Sequence, residues 1–272
     1  MIHRKILSLD LALDGLSDPY TSKDIPWPSP LRPPPGRFVI SCSVDGVTNF
    51  QFMGRTVFGD VLTRITDNWP DTPCSKLYLY GPSGVGKSHV LAAVVLYLVQ
   101  QGNRVVYIPD CHAALENPFR CIRDALLFAF HGDQDGWRAI SQATKMDDLL
   151  AVVEAQPTYS LYLIVDQYNA LDIEGDKEDH GNDTKKNLFE ALTRIGYDQK
   201  YIFSASAGMR SDRYTDKKQT GTVVIKFYAG MTKVCPHFFE LPCLTRSRMR
   251  QRPGSSTTHP GSQENTASLS RT

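Results

Sequence analysis

The chain has 272 residues, 41% of them hydrophobic, which is enough for one large domain with a buried core and excludes a disordered chain overall. Thirty basic residues against twenty-nine acidic ones leave no net field, so composition favours neither nucleic acid nor an anionic membrane as partner. The longest apolar run, Val90 to Val99, is half a membrane span, and Asp10 and Asp14 interrupt the N-terminal apolar run, so an intracellular setting (cytoplasm or nucleus) without membrane contact is expected.

Residues 1–37 read as an N-terminal segment ending in a proline-rich linker at 26–36, where Pro30-Leu31-Arg32-Pro33 is formally a P-x-x-P string but reads as a stiff spacer. Residues 38–241 read as the folded domain. A short strand is expected over Phe38 to Ser43 and a helix from about Thr56 to Trp69. Leu77 to Tyr80 is a strand, Lys87 to Gln101 a helix closed by Gly102, and Arg104 to Pro109 a β-branched strand, together a βαβ unit. Asn117-Pro118 opens a helix to about Phe130; a polar stretch follows, then a helix from about Met146 to Ala155. Strands at Tyr159 to Val165, Lys200 to Ala205 and Val223 to Tyr228, with a helix over Thr184 to Ile195, complete the pattern. Strands spaced by helices predict an α/β fold, a three-layer sandwich with a mostly parallel sheet, and G-x-x-x-x-G-K-S at Gly81 to Ser88, between the first strand and helix of the βαβ unit, makes it a P-loop NTPase sandwich. Residues 242–272 read as a disordered Ser/Thr/Arg-rich tail, whose five arginines against Glu264 give a charge of +4 (five minus one) and a weak case for nucleic acid.

Gly81-Pro82-Ser83-Gly84-Val85-Gly86-Lys87-Ser88 fits G-x-x-x-x-G-K-[ST] between a strand and a helix, the context a phosphate-binding loop needs. Its glycines let backbone N–H groups turn inward around phosphate, the helix N-terminus adds its dipole, Lys87 bridges β- and γ-phosphates, and Ser88 ligates Mg²⁺. His89 follows directly and is expected to belong to the nucleotide-binding loop with them. The carboxylate that holds Mg²⁺ from the opposite side is expected at the end of a neighbouring strand, and Tyr162-Leu163-Ile164-Val165-Asp166 supplies it. The 78 positions from Ser88 to Asp166 leave room for one intervening strand, Arg104 to Pro109. Gln167 stands where many hydrolytic proteins of this group carry Glu; an amide orients water but does not deprotonate it, so slow hydrolysis or a nucleotide-driven switch is expected. Glu174 or Asp172 is an alternative carboxylate. Ser206, closing the fourth strand, is the γ-phosphate sensor candidate; Arg210 reads first as an exposed loop arginine, with phosphate contact in cis or in trans the alternative. Thr144-Lys145-Met146-Asp147 has the guanine-specificity string but precedes Asp166 and opens a helix, so adenine is favoured. Met53-Gly54-Arg55 is similar to the hydrophobic-Gly-Arg element with which many signalling ATPases contact adenine.

Cysteines 42, 74, 111, 121, 235 and 243 form no C-x-x-C pair, which favours reduced structural thiols; His112 and His237 near two of them lack a second ligand pair.

The blocks Phe52-Met53-Gly54-Arg55, Gly81 to His89, Arg104 to Cys111 with its Tyr107-Ile108-Pro109-Asp110-Cys111, Asp166-Gln167 with Asn169 to Asp172, and Phe203 to Ala207 resemble the P-loop ATPase module of crinkler-type proteins, related to retrotransposon hot spot proteins. The resemblance covers about residues 50–230. It implies ATP and Mg²⁺ as ligands, coupling to an effector domain or protein partner, and for some members action inside a host cell. Neither the family's targeting header nor a C-terminal effector domain is recognisable. A replication-loader-like, DNA-associated ATPase is the other reading, since Gly86-Lys87-Ser88-His89 is followed by Leu91-Ala92-Ala93.

Overall fold

The computed structural model describes residues 6–7, 13–42, 46–67, 69, 76–172, 180–206 and 222–227. The expectations for the 242–272 tail, Arg210, Glu174, His237 and cysteines 74, 235 and 243 lie outside them.

The N-terminal part begins with helix α1 (Leu13–Ser17) and three strands, β1 (Ser22–Pro26), β2 (Ile40–Cys42) and β3 (Thr48–Met53), followed by α2 (Thr56–Thr66). The strands form an antiparallel sheet in the order β1-β3-β2, with Ile25 opposite Phe50 and Ile40 on its other side. The proline-rich stretch is therefore packed structure and not the linker that its composition suggests. Trp27 is 2% exposed, donates its indole N–H to the Leu31 carbonyl at 2.6 Å, and meets Phe38 and Phe50 edge-on at 4.9 and 5.8 Å. Proline's fixed φ suits such a wrap around an aromatic anchor as well as it suits a spacer.

The central sheet holds β4 (Lys76–Gly81), β5 (Arg104–Ile108), β6 (Leu161–Val165), β7 (Lys200–Ser206) and β8 (Thr222–Lys226), all parallel, in the order β5-β6-β7-β4-β8. The strand between β4 and β6 in sequence, β5, lies at the sheet's edge; the strand between them in space is β7. Strand alternation divides the core in two. Leu77, Leu79, Val105, Tyr107, Ile164 and Ile202 face α3 (Lys87–Gln100), α2 and the N-terminal aromatics. Tyr78, Val106, Ile108, Leu163, Val165 and Phe203 face the helices that connect the later strands. Helix α3 is covered both by the sheet and by the N-terminal layer, so it needs almost no polar face, which explains its unbroken run of apolar residues.

The connecting helices are α4 (Cys111–Ala114), α5 (Pro118–Ala129), α6 (Gln134–Gln142), α7 (Met146–Glu154) and, beyond a 3₁₀ turn at Tyr168–Leu171, α8 (His180–Ile195). Helix α6 occupies the stretch read as merely polar. It buries only Ile140 and is held by its cap: Asp133 accepts from the Gly136 N–H at 3.0 Å and pairs with Arg104 at 2.9 Å. Thr144 to Asp147 does open a helix, the Asp148 carboxylate accepting from the Thr144 and Lys145 N–H groups. Among the described residues no helix is long and apolar enough to cross a membrane, no His/Cys/Asp/Glu cluster suits a metal ion, and Cys42, Cys111 and Cys121 are free thiols.

Candidate functional site

In a parallel sheet the loops at the carboxyl ends of the strands converge, and here β4, β5, β6 and β7 bring their chemistry-bearing residues to that one edge. Gly81 closes β4 and packs so tightly that a Cβ there would stand 2.5 Å from the Phe227 carbonyl oxygen. The chain then turns through Pro82 and the exposed Ser83 and Gly84 into α3. Gly84 and Gly86 have φ of +82° and +85°, the left-handed region that glycine reaches without steric penalty.

Lys87 is buried, and its Nζ donates to the Gly81 and Pro82 carbonyls at 2.7 Å each. Burial lowers its pKa, while the Asp166 charge opposes that. The ammonium is thus folded over the hollow of its own loop against backbone carbonyl dipoles.

Asp166 ends β6 and is 1% exposed. Its Oδ1 accepts hydrogen bonds from the Ser204 hydroxyl and the Gln167 N–H, and the Ser88 hydroxyl lowers the pKa of the same carboxyl. Burial pushes its pKa up, and these donors and Arg37 pull against the shift. Among the described residues Oδ2 of Asp166 has no hydrogen-bond partner. A buried carboxylate oxygen beside the Ser88 hydroxyl is the donor set a hard divalent cation takes, so Ser88 and Asp166 fit Mg²⁺.

Gln167 is half-buried at φ 60°, ψ 39°, a left-handed conformation unusual for a residue with a Cβ. Such strain concentrates at functional sites. By register Ser206 stands beside Gly81, at the mouth of the loop. Ser204, two positions earlier and so on the same face of β7, is the hydroxyl that reaches Asp166. Sequence reasoning passed over it, although Ser-x-Ser on a strand that ends at the site was a usable signal.

Met53 and Gly54 lie beside α1: Met53 pairs with Ser22, and a Cβ on Gly54 would stand 2.0 Å from the Asp18 carbonyl oxygen. Arg55 reaches the phosphate loop, its guanidinium donating to the Val85 carbonyl at 3.0 Å and lying against Gly86. His89 turns away from the loop and stacks on Phe38 with ring centres 4.5 Å apart. Burial and the Arg55 charge draw its pKa down to about 4, so it is neutral near pH 7. Two residues missed by sequence reasoning also stand here. Asp110, at the end of β5, and Arg37, from the N-terminal layer, pair at 3.3 Å, and Arg37 lies 3.9 Å from Asp166.

The model of the family described as nSTAND1, Novel STAND NTPase 1, matches residues 48–251. No curated protein matches the chain. Among solved structures, AMPPCP-bound DnaA from Aquifex aeolicus is 15% identical over 63% of this chain and 45% of its own, with a TM-score of 0.35. Drosophila ORC bound to DNA is 14% identical over 62% and 42%, with a TM-score of 0.37. C. elegans PCH-2 is 12% identical over 63% and 39%, with a TM-score of 0.32. The alignments span less than half the length of each of these chains.

Proposed function

The chain belongs to the novel STAND NTPase family, a nucleotide-binding P-loop module, and from that premise we propose that it binds ATP with Mg²⁺ and hydrolyses it slowly. The observation that carries this reading is the meeting of Lys87, Ser88 and Asp166 at one sheet edge, with a buried Asp166 oxygen that no described residue donates to. Loop amides from Gly81 to Ser88 and the N-terminus of α3 hold the phosphates, and Lys87 leaves its two carbonyls to bridge them. Ser88 and Asp166 hold the cation, which supplies charge neutralisation at the phosphates. Gln167 orients the attacking water without taking its proton, and Ser206 senses the γ-phosphate. The Met53-Gly54-Arg55 segment would form a nucleotide-side wall, and Arg55 is the residue of it that reaches the loop, bonding the Val85 carbonyl and lying against Gly86.

The finer resemblance to the crinkler-type module rests on Tyr107 to Cys111 and on Asp166-Gln167. One carboxylate from each block, Asp110 and Asp166, faces Arg37 at the strand ends, and coupling to an effector domain or protein partner is what the resemblance implies. Gln167 also supports a second reading, a switch whose bound nucleotide alters partner contacts without repeated turnover. A DNA-associated role would require DNA-stimulated hydrolysis.

The test is phosphate release from Mg·ATP together with binding of a fluorescent ATP analogue, in wild type and Lys87→Ala. Binding and repeated turnover that Lys87→Ala abolishes support the ATPase; Gln167→Glu is then expected to turn over faster, because it restores a carboxylate. Binding without turnover supports the switch. Absence of binding refutes the nucleotide-site reading.

A further inference from the structure

Arg37 follows Gly36, whose φ is +71°, and precedes Phe38, which is clamped between Trp27, Phe50 and His89. That anchorage carries the guanidinium across to the carboxyl ends of β5 and β6. One terminal nitrogen lies 3.3 Å from Asp110 and the other 3.9 Å from Asp166, on the same Oδ2 that accepts no hydrogen bond from a described residue. The nitrogen facing Asp166 is itself buried and has no hydrogen bond among the described residues. Asp110 uses its other oxygen to cap the His112 N–H at 2.9 Å, so its charge too is fixed toward the arginine. Two carboxylates at adjacent strand ends are therefore balanced by one cation at long range. It is a loose pairing, in which neither the arginine nor Asp166 has its best geometry.

We propose that Arg37 is the resident counter-cation of the metal site: without nucleotide its guanidinium balances Asp110 and Asp166, and a divalent ion arriving with nucleotide displaces it. The proposal rests on the reading of Ser88 and Asp166 as cation ligands. Two cations compete for the same buried carboxylate oxygen, and a divalent ion wins by charge and by closer approach to oxygen. Because Phe38 stacks on His89, directly after Ser88, displacement of Arg37 pulls on the loop between β1 and β2. Cation occupancy thereby becomes linked to the N-terminal sheet.

The test counts free Mn²⁺ by electron paramagnetic resonance in the presence of ADP, for the full chain as wild type, Arg37→Gln, Arg37→Lys and Asp166→Asn. Removal of the competing charge is expected to tighten Mn²⁺ binding about fivefold in Arg37→Gln, a size set by the modest energy of partly exposed ion pairs. Arg37→Lys, which keeps the charge, is expected to stay near wild type, and Asp166→Asn to bind none. Equal or weaker binding by Arg37→Gln, with wild-type binding still abolished by Asp166→Asn, overturns the counter-cation role and leaves the site reading standing. Binding that Asp166→Asn does not affect overturns the site reading itself, and so does no binding by any variant. A second readout uses wild type alone, so it survives a poorly folding Arg37→Gln: trypsin cleavage after Arg37 is expected to speed up when Mn²⁺ and ADP are added together. An unchanged rate overturns the displacement.

Discussion

Substitution of Gly86 by alanine separates two costs that the phosphate loop imposes at one position. At φ +85° any residue with a Cβ is strained, by about 1–2 kcal/mol. A Cβ there would also stand 2.6 Å from Cζ of Arg55, the far end of a flexible side chain that can swing aside. What is lost when it swings is its hydrogen bond to the Val85 carbonyl, a charge-assisted bond worth about 1.5–3 kcal/mol when partly buried. Gly102 provides the reference, with φ +78° and nothing within 4 Å of the added Cβ, so Gly102→Ala carries the strain alone. The expected order in urea unfolding is Gly86→Ala less stable than Gly102→Ala by about 1.5–3 kcal/mol, the worth of the lost bond. In an Arg55→Ala background the bond is already gone, and the two alanine substitutions should cost the same within about 0.5 kcal/mol. If the excess at Gly86 persists without Arg55, the contact between Arg55 and the loop does not hold it in place.

The pKa of His89 is lowered to about 4 from 6.5, so the unfolded chain binds a proton that the folded chain refuses between those values. Stability due to His89 is therefore complete above about pH 6.5 and lost as pH falls toward 4, by about 3 kcal/mol in all at 1.36 kcal/mol per unit. His89→Phe keeps the stack on Phe38 and removes the titration, so the wild-type loss relative to this variant between pH 7 and 4.5, read by urea unfolding, checks it; equal pH slopes would refute it. Ser204→Ala deletes a donor to a fully buried carboxylate. It should cost about 1–3 kcal/mol of stability and push the Asp166 pKa still higher, which a Mg²⁺ dependence of nucleotide binding that weakens sooner than in wild type as pH falls would report.

The α/β class, the parallel sheet and the loop that opens α3 were legible because each rests on local signals: apolar runs of strand length, helix periodicity, and glycines where the backbone takes positive φ. Helix α6 was hidden because it buries a single aliphatic residue and depends on the Asp133 cap. The N-terminal sheet was hidden for a different reason. Proline spacing and aromatic anchoring produce the same letters, and only the partners Phe50, Tyr107 and His89, remote in sequence, distinguish a wrap from a spacer.

The same non-locality governs the site. Lys87, Ser88 and Asp166 belong to motifs whose spacing is set by the strands that carry them, so a sequence displays them. Ser204, Asp110 and Arg37 serve the same carboxylate cluster, but each comes from an element whose position in space does not follow from its position in the chain. Strand β7 must insert between β4 and β6 before Ser204 can reach Asp166, and the N-terminal sheet must cover α3 before Arg37 can. A buried acid that needs a cation will recruit one from whatever element the fold brings past it. In the described residues that element is the proline-rich wrap, the stretch that composition alone made look least connected to the chemistry.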